Sequence, residues 1–379
     1  MAIPRTILAI LVLAAVTAGL ATFVALGQEA QAPKSDALPE STEVTIPGLG
    51  KPLLAGPYMH KGLALFYLYQ KKEEPKDLEY MLLDEGLASG DVKVSEAADA
   101  QVRTLIISNA SDKHLFLQVG ELVRGGKQDR TLQTSLVVPP KTLHAAIPSF
   151  CVERSRWSGG KEFAAQGMIV PSTDIRRAIH EQDQGGVWKS VQQYKSDNRA
   201  AMSASGGSKT SSVNEELESK DFQKALTDYE KALEKVPSHS VPVGMVYAVN
   251  GRISTADIYR NGALFKKLYP KLLRSAAAEA IAQRASKDKP AIPTVQEVAE
   301  FLAAAWDGAK QTEKLGMDNV FVRLTNDKTY TSQLFYKDKL IHAQVVKRAE
   351  GAKAPAIPEP PPPIPQPPRV PEPPRPLRE

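Results

Sequence analysis

VGELVRGGKQDRTLQTSLVVPPKTLHAAIPSFCVERSRW, residues 119–157, decides how the rest of the chain is read. It gathers three glycines, a cluster of charges, the only cysteine and one of the three tryptophans. With the preceding HLFLQ it reads as strand, loop, strand, turn, strand. Residues 114–119 alternate Leu115, Leu117 and Val119 against Phe116, the period of two that marks a strand. Residues 132–138 form a second run, closed by Pro139 and Pro140, which have no N–H to donate to a ladder. Residues 143–152 form a third, with an expected break at Pro148.

Between the first two runs lies ELVRGGKQDR, residues 121–130. Gly125 and Gly126 permit positive φ, so successive backbone N–H groups can turn to one side. With Arg124, Lys127 and Arg130 beside them, they suit an anion-binding concavity. Glu121, Asp129 and Gln128 supply groups for hydroxyls. The third run ends in the second cluster: Cys151, Glu153, Arg154, Arg156 and Trp157. If the third strand folds back on the loop, both clusters face one hollow. The ligand-binding candidates are then Glu121, Gly125, Gly126, Lys127, Gln128, Arg130, Glu153, Arg156 and Trp157. Such a set suits a small phosphorylated or sugar-like ligand. The plainer alternative is that ion pairs such as Arg130–Glu153 or Arg156–Glu121 only pin the hairpin.

Three catalytic candidates lie in the same stretch. Cys151 as a nucleophile needs a thiol pKa lowered by cations or a base, and His144, Arg154 and Arg156 are near in sequence. A lone cysteine in a strand is otherwise a small core residue. Glu121 and Glu153 could act as paired carboxylates on a glycosidic bond. No GxSxG elbow supports a Ser-His-Asp arrangement.

The order GELVRGGKQDR, strand, Pro-Pro, then P-x-F-C-V-E-x-x-R-W resembles the ARG- and rhodanese-phosphatase-superfamily-associated domain. This is a bacterial domain named for genomic neighbours that include ADP-ribosylglycohydrolases. The resemblance continues in LLDEGLASGDVKVSE (82–96), VWKSV (187–191) and GMVYAVNGRISTADIYRN…FKKLYPKLL (244–273), and spans residues 45–347. It implies no transferable activity. It does imply handling of, or sensing near, an ADP-ribose-like nucleotide, by association rather than mechanism.

Composition narrows the classes. The 48 basic and 43 acidic residues leave a charge of only +5, and no basic run stands out. Nucleic acid is therefore not an expected partner. One cysteine excludes an internal disulfide. No CxxC or HExxH occurs, so neither a metal nor a cofactor is expected.

Outward from the hairpin, the N-terminus reads as a targeting segment. Arg5 is followed by 22 uncharged residues, 6–27, and Ala30-Gln31-Ala32 has the small-x-small form of a cleavage site. Residues 1–32 are thus a cleaved signal peptide or a retained membrane anchor. Either places the rest outside the cytoplasm, in the periplasm, at the cell surface or secreted. Residues 33–41 form a linker. Residues 42–347 form one α+β domain, a mostly antiparallel β-rich lobe with packed helices.

Within it, residues 63–69 (LALFYLY) are apolar on both faces and predict a fully buried strand. Residues 77–89 predict a helix ending at Gly90, and 91–95 and 101–108 predict strands. Ser172 caps a short helix over 175–180. Residues 186–194 carry Val187, Trp188 and Val191 at helical spacing, with Trp188 in the core. A flexible loop is expected over about 198–213, and one helix over 214–236. Asn250-Gly251 predicts a hairpin. Residues 258–273 predict a helix pair broken at Pro270. Thr294 and Glu297 form a capping box opening a helix to about residue 310. A closing meander over 320–346 should rejoin the earlier sheet. Residues 348–379 are a disordered proline-rich tail. With 13 prolines in residues 351–379, it suits a polyproline II spacer, on the order of 90 Å long, or a ligand for a protein partner.

The leading expectation is an extracytoplasmic ligand-binding or sensing module. The alternatives are a hydrolase of a nucleotide-sugar-like bond, through Glu121, Glu153 or Cys151, and a structural envelope protein.

Overall fold

The structure, a computed structural model, describes residues 40–72, 78–97, 103–154, 160, 162–202, 212–237, 240–286 and 290–351. Its first half runs β1 (Ser41–Glu43), β2 (Leu53–His60), β3 (Leu63–Gln70), β4 (Tyr80–Leu82), α1 (Leu83–Ser89), β5 (Val92–Glu96), β6 (Thr104–Asn109) and β7 (His114–Leu117). The quoted stretch then supplies β8 (Glu121–Gly125), β9 (Arg130–Leu132), β10 (Leu136–Val138) and β11 (Thr142–Cys151). After it come β12 (Phe163–Ile169), α2 (Thr173–His180), α3 (Gln184–Met202), α4 (Val213–Leu217) and α5 (Lys220–Leu233). The chain closes through β13 (Val241–Val249), β14 (Arg252–Tyr259), α6 (Gly262–Ala282), α7 (Val295–Ala303), β15 (Ala309–Gly316), β16 (Asn319–Thr325), β17 (Thr329–Tyr336) and β18 (Lys339–Lys347).

These elements make an α+β fold of three sheets. The largest has the order β1-β2-β3-β13-β14-β18-β17-β16-β15, antiparallel throughout. β3 lies inside it and is buried at every position. Its alternation divides two cores. Leu63, Leu65, Tyr67 and Tyr69 face the larger one, which holds α6. Ala64, Phe66 and Leu68 face the smaller one, which holds Val295, Val298, Phe301 and Leu302 of α7. A strand covered on both faces loses the usual polar alternation, as the LALFYLY run predicts.

The second sheet has the order β10-β7-β4, with β4 and β7 parallel. The third has the order β12-β8-β9-β11-β6-β5. A bridge between Ser95 and Glu162, the residue before β12, brings its two edges together. The six antiparallel strands thus curl into a small barrel whose two edge strands meet at that one bridge. The quoted stretch crosses two sheets: β8, β9 and β11 build the barrel, and β10 leaves it to pair with β7.

Several local expectations hold. The Asn250–Gly251 turn joins β13 and β14. Ser172 caps α2 by accepting from the Asp174 N–H. Thr294 and Glu297 form a reciprocal capping box on α7. The meander returns β18 to β14.

Others need correction. The helix expected over 77–89 begins only at Leu83, because residues 80–82 pair with β7 as β4. Pro148 does not interrupt β11. It pairs opposite Thr104 while its carbonyl accepts the Gln133 N–H. Pro270 sits inside an unbroken α6. Pro270 is an exposed residue, as is Lys266, whose carbonyl loses its usual N–H partner. Residues 214–236 form two helices, because Ser219 caps a fresh start at α5. The helix expected to reach 310 stops at Ala303, and residues 309–316 form edge strand β15. β12 was not anticipated.

Of the loop expected over about 198–213, residues 198–202 instead continue α3 and Ser212 caps α4, which starts at Val213; residues 203–211, the apolar segment 1–32 and residues 352–379 lie outside the described residues. Among the described residues, no helix is long and apolar enough to cross a membrane.

Candidate functional site at the barrel mouth

The GGKQDR turn and the CVE segment close one end of the barrel. Gly125 and Gly126 take φ of 133° and 53°. A Cβ on Gly126 would lie 2.2 Å from the Phe163 ring, so only glycine fits there. The Asp129 carboxylate accepts the Gly125 N–H at 3.0 Å and draws the turn closed. The Lys127 N–H donates to Glu96 on β5 at 2.7 Å. β9 then pairs with β11 so that Arg130 stands opposite Cys151. This register carries Glu153 back against the turn.

The two motif clusters therefore do meet. Gln128 Nε2 donates to the Glu153 carbonyl at 3.0 Å. The Asp129 N–H donates to Glu153 Oε2 at 3.3 Å. Arg130 is buried; its Nη1 donates to the Gln128 carbonyl at 3.1 Å and its Nη2 lies 3.6 Å from Glu96 Oε1. β9 and β5 are not neighbours in the sheet, so that ion pair crosses the barrel rather than following a ladder. Asp129 also accepts from Ser212 Oγ at 2.5 Å and Asn214 Nδ2 at 3.0 Å. The expected Arg130–Glu153 pair is replaced by Arg130–Glu96. Buried charges need such partners, because an unpaired one costs several kcal/mol.

The Cys151 thiol donates to Gln128 Oε1 at 3.1 Å. Burial pushes its pKa up to about 11; Arg130 opposes the rise, while Glu96 and Glu153 add to it. That is the setting of a protonated core thiol rather than a nucleophilic thiolate. The Gln184 side chain brackets the Cys151 backbone, accepting its N–H at 2.9 Å and donating to its carbonyl at 2.8 Å. His144 is exposed at the far end of β11 and is not brought to the thiol.

Glu121 belongs to a different network. It opens β8, whose other end leads into the turn, roughly 13 Å away at strand spacing. Its carboxylate meets the ammonium of Lys271 on α6 at 2.7 Å, and Lys271 also meets Asp84 at 2.7 Å. Burial alone would lower the Lys271 pKa, but Glu121 and Asp84 outweigh it and hold the pKa above its usual value. Glu121 and Glu153 are therefore not brought together as a catalytic pair. Arg156 and Trp157 lie outside the described residues.

A Ser-His-Asp alignment does occur, away from the barrel mouth. Ser135 Oγ lies 2.9 Å from His342 Nδ1, and His342 Nε2 lies 3.2 Å from Asp257 Oδ1. All three residues are buried. Ser135 Oγ already accepts the Val119 N–H at 2.9 Å. Asp257 also accepts from Gln118 and Gln344. This network ties the connections flanking β8 and β9 to β14 and β18 of the large sheet.

At the rim, Lys127 is half-buried and Arg154 is exposed. Trp188, expected in the core, is only half-buried and stands at this rim, with the Arg154 guanidinium over its ring, 5.7 Å from its centre. The Trp188 indole N–H meets no acceptor among the described residues. Glu96, Gln184, Ser212, Asn214 and Lys271 are participants that sequence reasoning did not find. Only Lys271 left a trace, a charge three residues after Leu268 on the apolar face of its helix. Among the described residues, no three or more His, Cys, Asp or Glu side chains converge as metal ligands.

No curated protein and no solved structure matches the chain. A family profile does match, over residues 53–346, which takes in the three sheets apart from edge strand β1, the barrel mouth and the Glu121–Lys271 pair. The chain therefore belongs to the ARPP-1 family, the ARG and Rhodanese-Phosphatase-superfamily-associated Protein domain.

Proposed function

We propose that this ARPP-1 domain is an extracytoplasmic binding or sensing module whose ligand sits at the barrel mouth and leaves unchanged. The ligand class is a phosphorylated sugar or an ADP-ribose-like nucleotide. One observation carries the non-catalytic part. The reactive-looking groups of the motif serve the fold: Cys151 is a buried donor to Gln128, Asp129 holds three donors, and Glu121 is paired with Lys271.

The rim supports the ligand class. Lys127 and Arg154 carry positive charge for phosphate, and the Arg154 guanidinium over Trp188 marks the aromatic face that a base or sugar would take in its place. The association with ARG proteins in the family's name is in keeping with a nucleotide of this kind. The extracytoplasmic location rests on the uncharged run over residues 6–27.

The test is thermal unfolding with ADP-ribose, UDP-glucose and ribose 5-phosphate. A ligand at a hundred times its Kd stabilises by about 2.7 kcal/mol. Lys127→Ala with Arg154→Ala should abolish the stabilisation and leave the ligand-free transition in place. Ligand-independent unfolding of the parent protein with all three compounds would favour the structural reading, in which the paired charges only close the barrel.

A further inference from the structure

A groove of about 1030 Å³ lies at one end of the large sheet. It is lined by the β2–β3 and β13–β14 turns, by α5, which is tied to the β2–β3 turn through the Lys61–Asp228 ion pair at 2.7 Å, and by the end of α6. Met59 and Ile292 project into it at 44% and 40% exposure, two of the three large hydrophobic side chains exposed among the described residues. Ala225, Tyr229, Ile281 and Pro290 continue the apolar surface. Lys61, Lys224 and Arg284 stand on the rim with Asp221 and Asp228. An apolar trough between charged rims suits an extended, proline-rich segment, which carries little ordering cost into a groove.

The chain itself supplies such a segment, and it starts close by. β14 and β18 are antiparallel, with Thr255 opposite Val346. β18 therefore ends, at Lys347, at the end of the sheet from which β14 starts at Arg252. Arg252 follows the Asn250–Gly251 turn, and that turn is part of the groove wall. A Cβ on Gly251 would lie 2.2 Å from the Pro290 carbonyl, so the turn and the Pro290 wall are in direct contact. The last described residue, Gly351, follows the end of β18 by four residues, so the tail leaves the domain from the same end of the sheet that carries the Asn250–Gly251 turn. The remaining 28 residues hold 13 prolines, with isoleucine, valine and leucine between charges.

We propose that the groove is the docking site of the proline-rich tail, residues 352–379, of the same chain. Tethering sets the effective concentration in the millimolar range, so an intrinsic Kd of about 0.1 mM would keep the groove occupied about nine-tenths of the time. The domain then covers its own exposed apolar surface, and a partner that takes the tail uncovers it.

The experiment compares the full chain with a chain ending at Gly351. Each carries Met59→Cys, Ile292→Cys or, as a control, Leu143→Cys; Leu143 is 64% exposed on β11. Maleimide labelling of the introduced thiol is timed. Docking predicts labelling roughly tenfold slower in the full chain at positions 59 and 292. Position 143 should not change, and a synthetic 352–379 peptide should restore protection to the shortened chain. Equal fast labelling in both chains would overturn the proposal. Equal slow labelling would also overturn it, since something other than the tail would then fill the groove. Protection that grows with protein concentration would assign the groove to a second copy and overturn docking within the chain.

Discussion

Gln128 spans from the glycine turn to the strand that carries Glu153. Its Nε2 lies 3.0 Å from the Glu153 carbonyl, and its Oε1 takes the Cys151 thiol hydrogen at 3.1 Å. One carboxamide thus joins the two halves of the motif inside the barrel mouth. Gln128→Ala removes both bonds and strips buried Arg130 of a neighbouring acceptor. Urea unfolding should show a loss of about 1–3 kcal/mol for the buried groups left unpaired. A loss within experimental error would mean that Gln128 faces water.

Lys271 lies between Glu121 at 2.7 Å and Asp84 at 2.7 Å. Lys271→Met leaves the buried Glu121 carboxylate uncompensated and should cost about 3–5 kcal/mol. Adding Glu121→Gln removes that charge and should recover part of the loss. Strict additivity of the two substitutions would show that the pair is not coupled.

Cys151 carries a pKa raised from 9.0 to about 11 by burial. A thiol with a raised folded pKa contributes stability below pH 9, and that contribution is lost as pH climbs through 11. Cys151→Ala should flatten the part of the stability curve between those values. In the native protein at pH 7.5, Ellman's reagent should react fully only after denaturant is added. Rapid native labelling would restore Cys151 as a nucleophile candidate.

His180 is buried between Ser332 and Thr325, and its ring lies 4.7 Å from that of Tyr330. Burial, helped by Arg323, lowers its pKa from 6.5 to about 3. The unfolded chain therefore takes up a proton that the folded chain refuses. The stability this gives is present above pH 6.5 and is lost as pH falls towards 3, with a slope up to about 1.4 kcal/mol per pH unit. His180→Gln should remove that slope in urea titrations between pH 6.5 and 4. An unchanged slope would place the proton uptake elsewhere.

The Ser135–His342–Asp257 alignment has the partners of a hydrolase triad but no access, and its serine oxygen is engaged by the Val119 N–H. A fluorophosphonate probe should leave Ser135 unlabelled. Ser135→Ala should instead cost about 1–3 kcal/mol, because a buried N–H loses its acceptor. Covalent labelling of Ser135 would reopen the hydrolase reading.

What could be read from the chain was local. The LALFYLY run announces a strand covered on both faces, Asn250-Gly251 a hairpin, and Thr294 with Glu297 a helix start; each rests on residues within one element. Pro270 misled because the rule against helix-interior proline is local, whereas α6 is held on both sides of it by Leu268 and Leu272 in the core while Pro270 itself is exposed. The barrel was not legible, since its closure depends on Ser95 meeting Glu162 across 67 positions of sequence. The meeting of GGKQDR with CVE followed from strand order and could be anticipated. Its chemistry could not, because Glu96, Lys271, Ser212 and Asn214 come from distant elements, and they convert apparent ligand groups into a paired seam.

The most direct test of the binding account is calorimetric titration of the intact protein with ADP-ribose, UDP-glucose and ribose 5-phosphate, followed by chromatography of the recovered compound. Saturable binding of at least one of them, lost in Lys127→Ala with Arg154→Ala, and recovery of the compound intact are the predicted results. Cleavage of the bound compound, or no heat from any of the three, would contradict it.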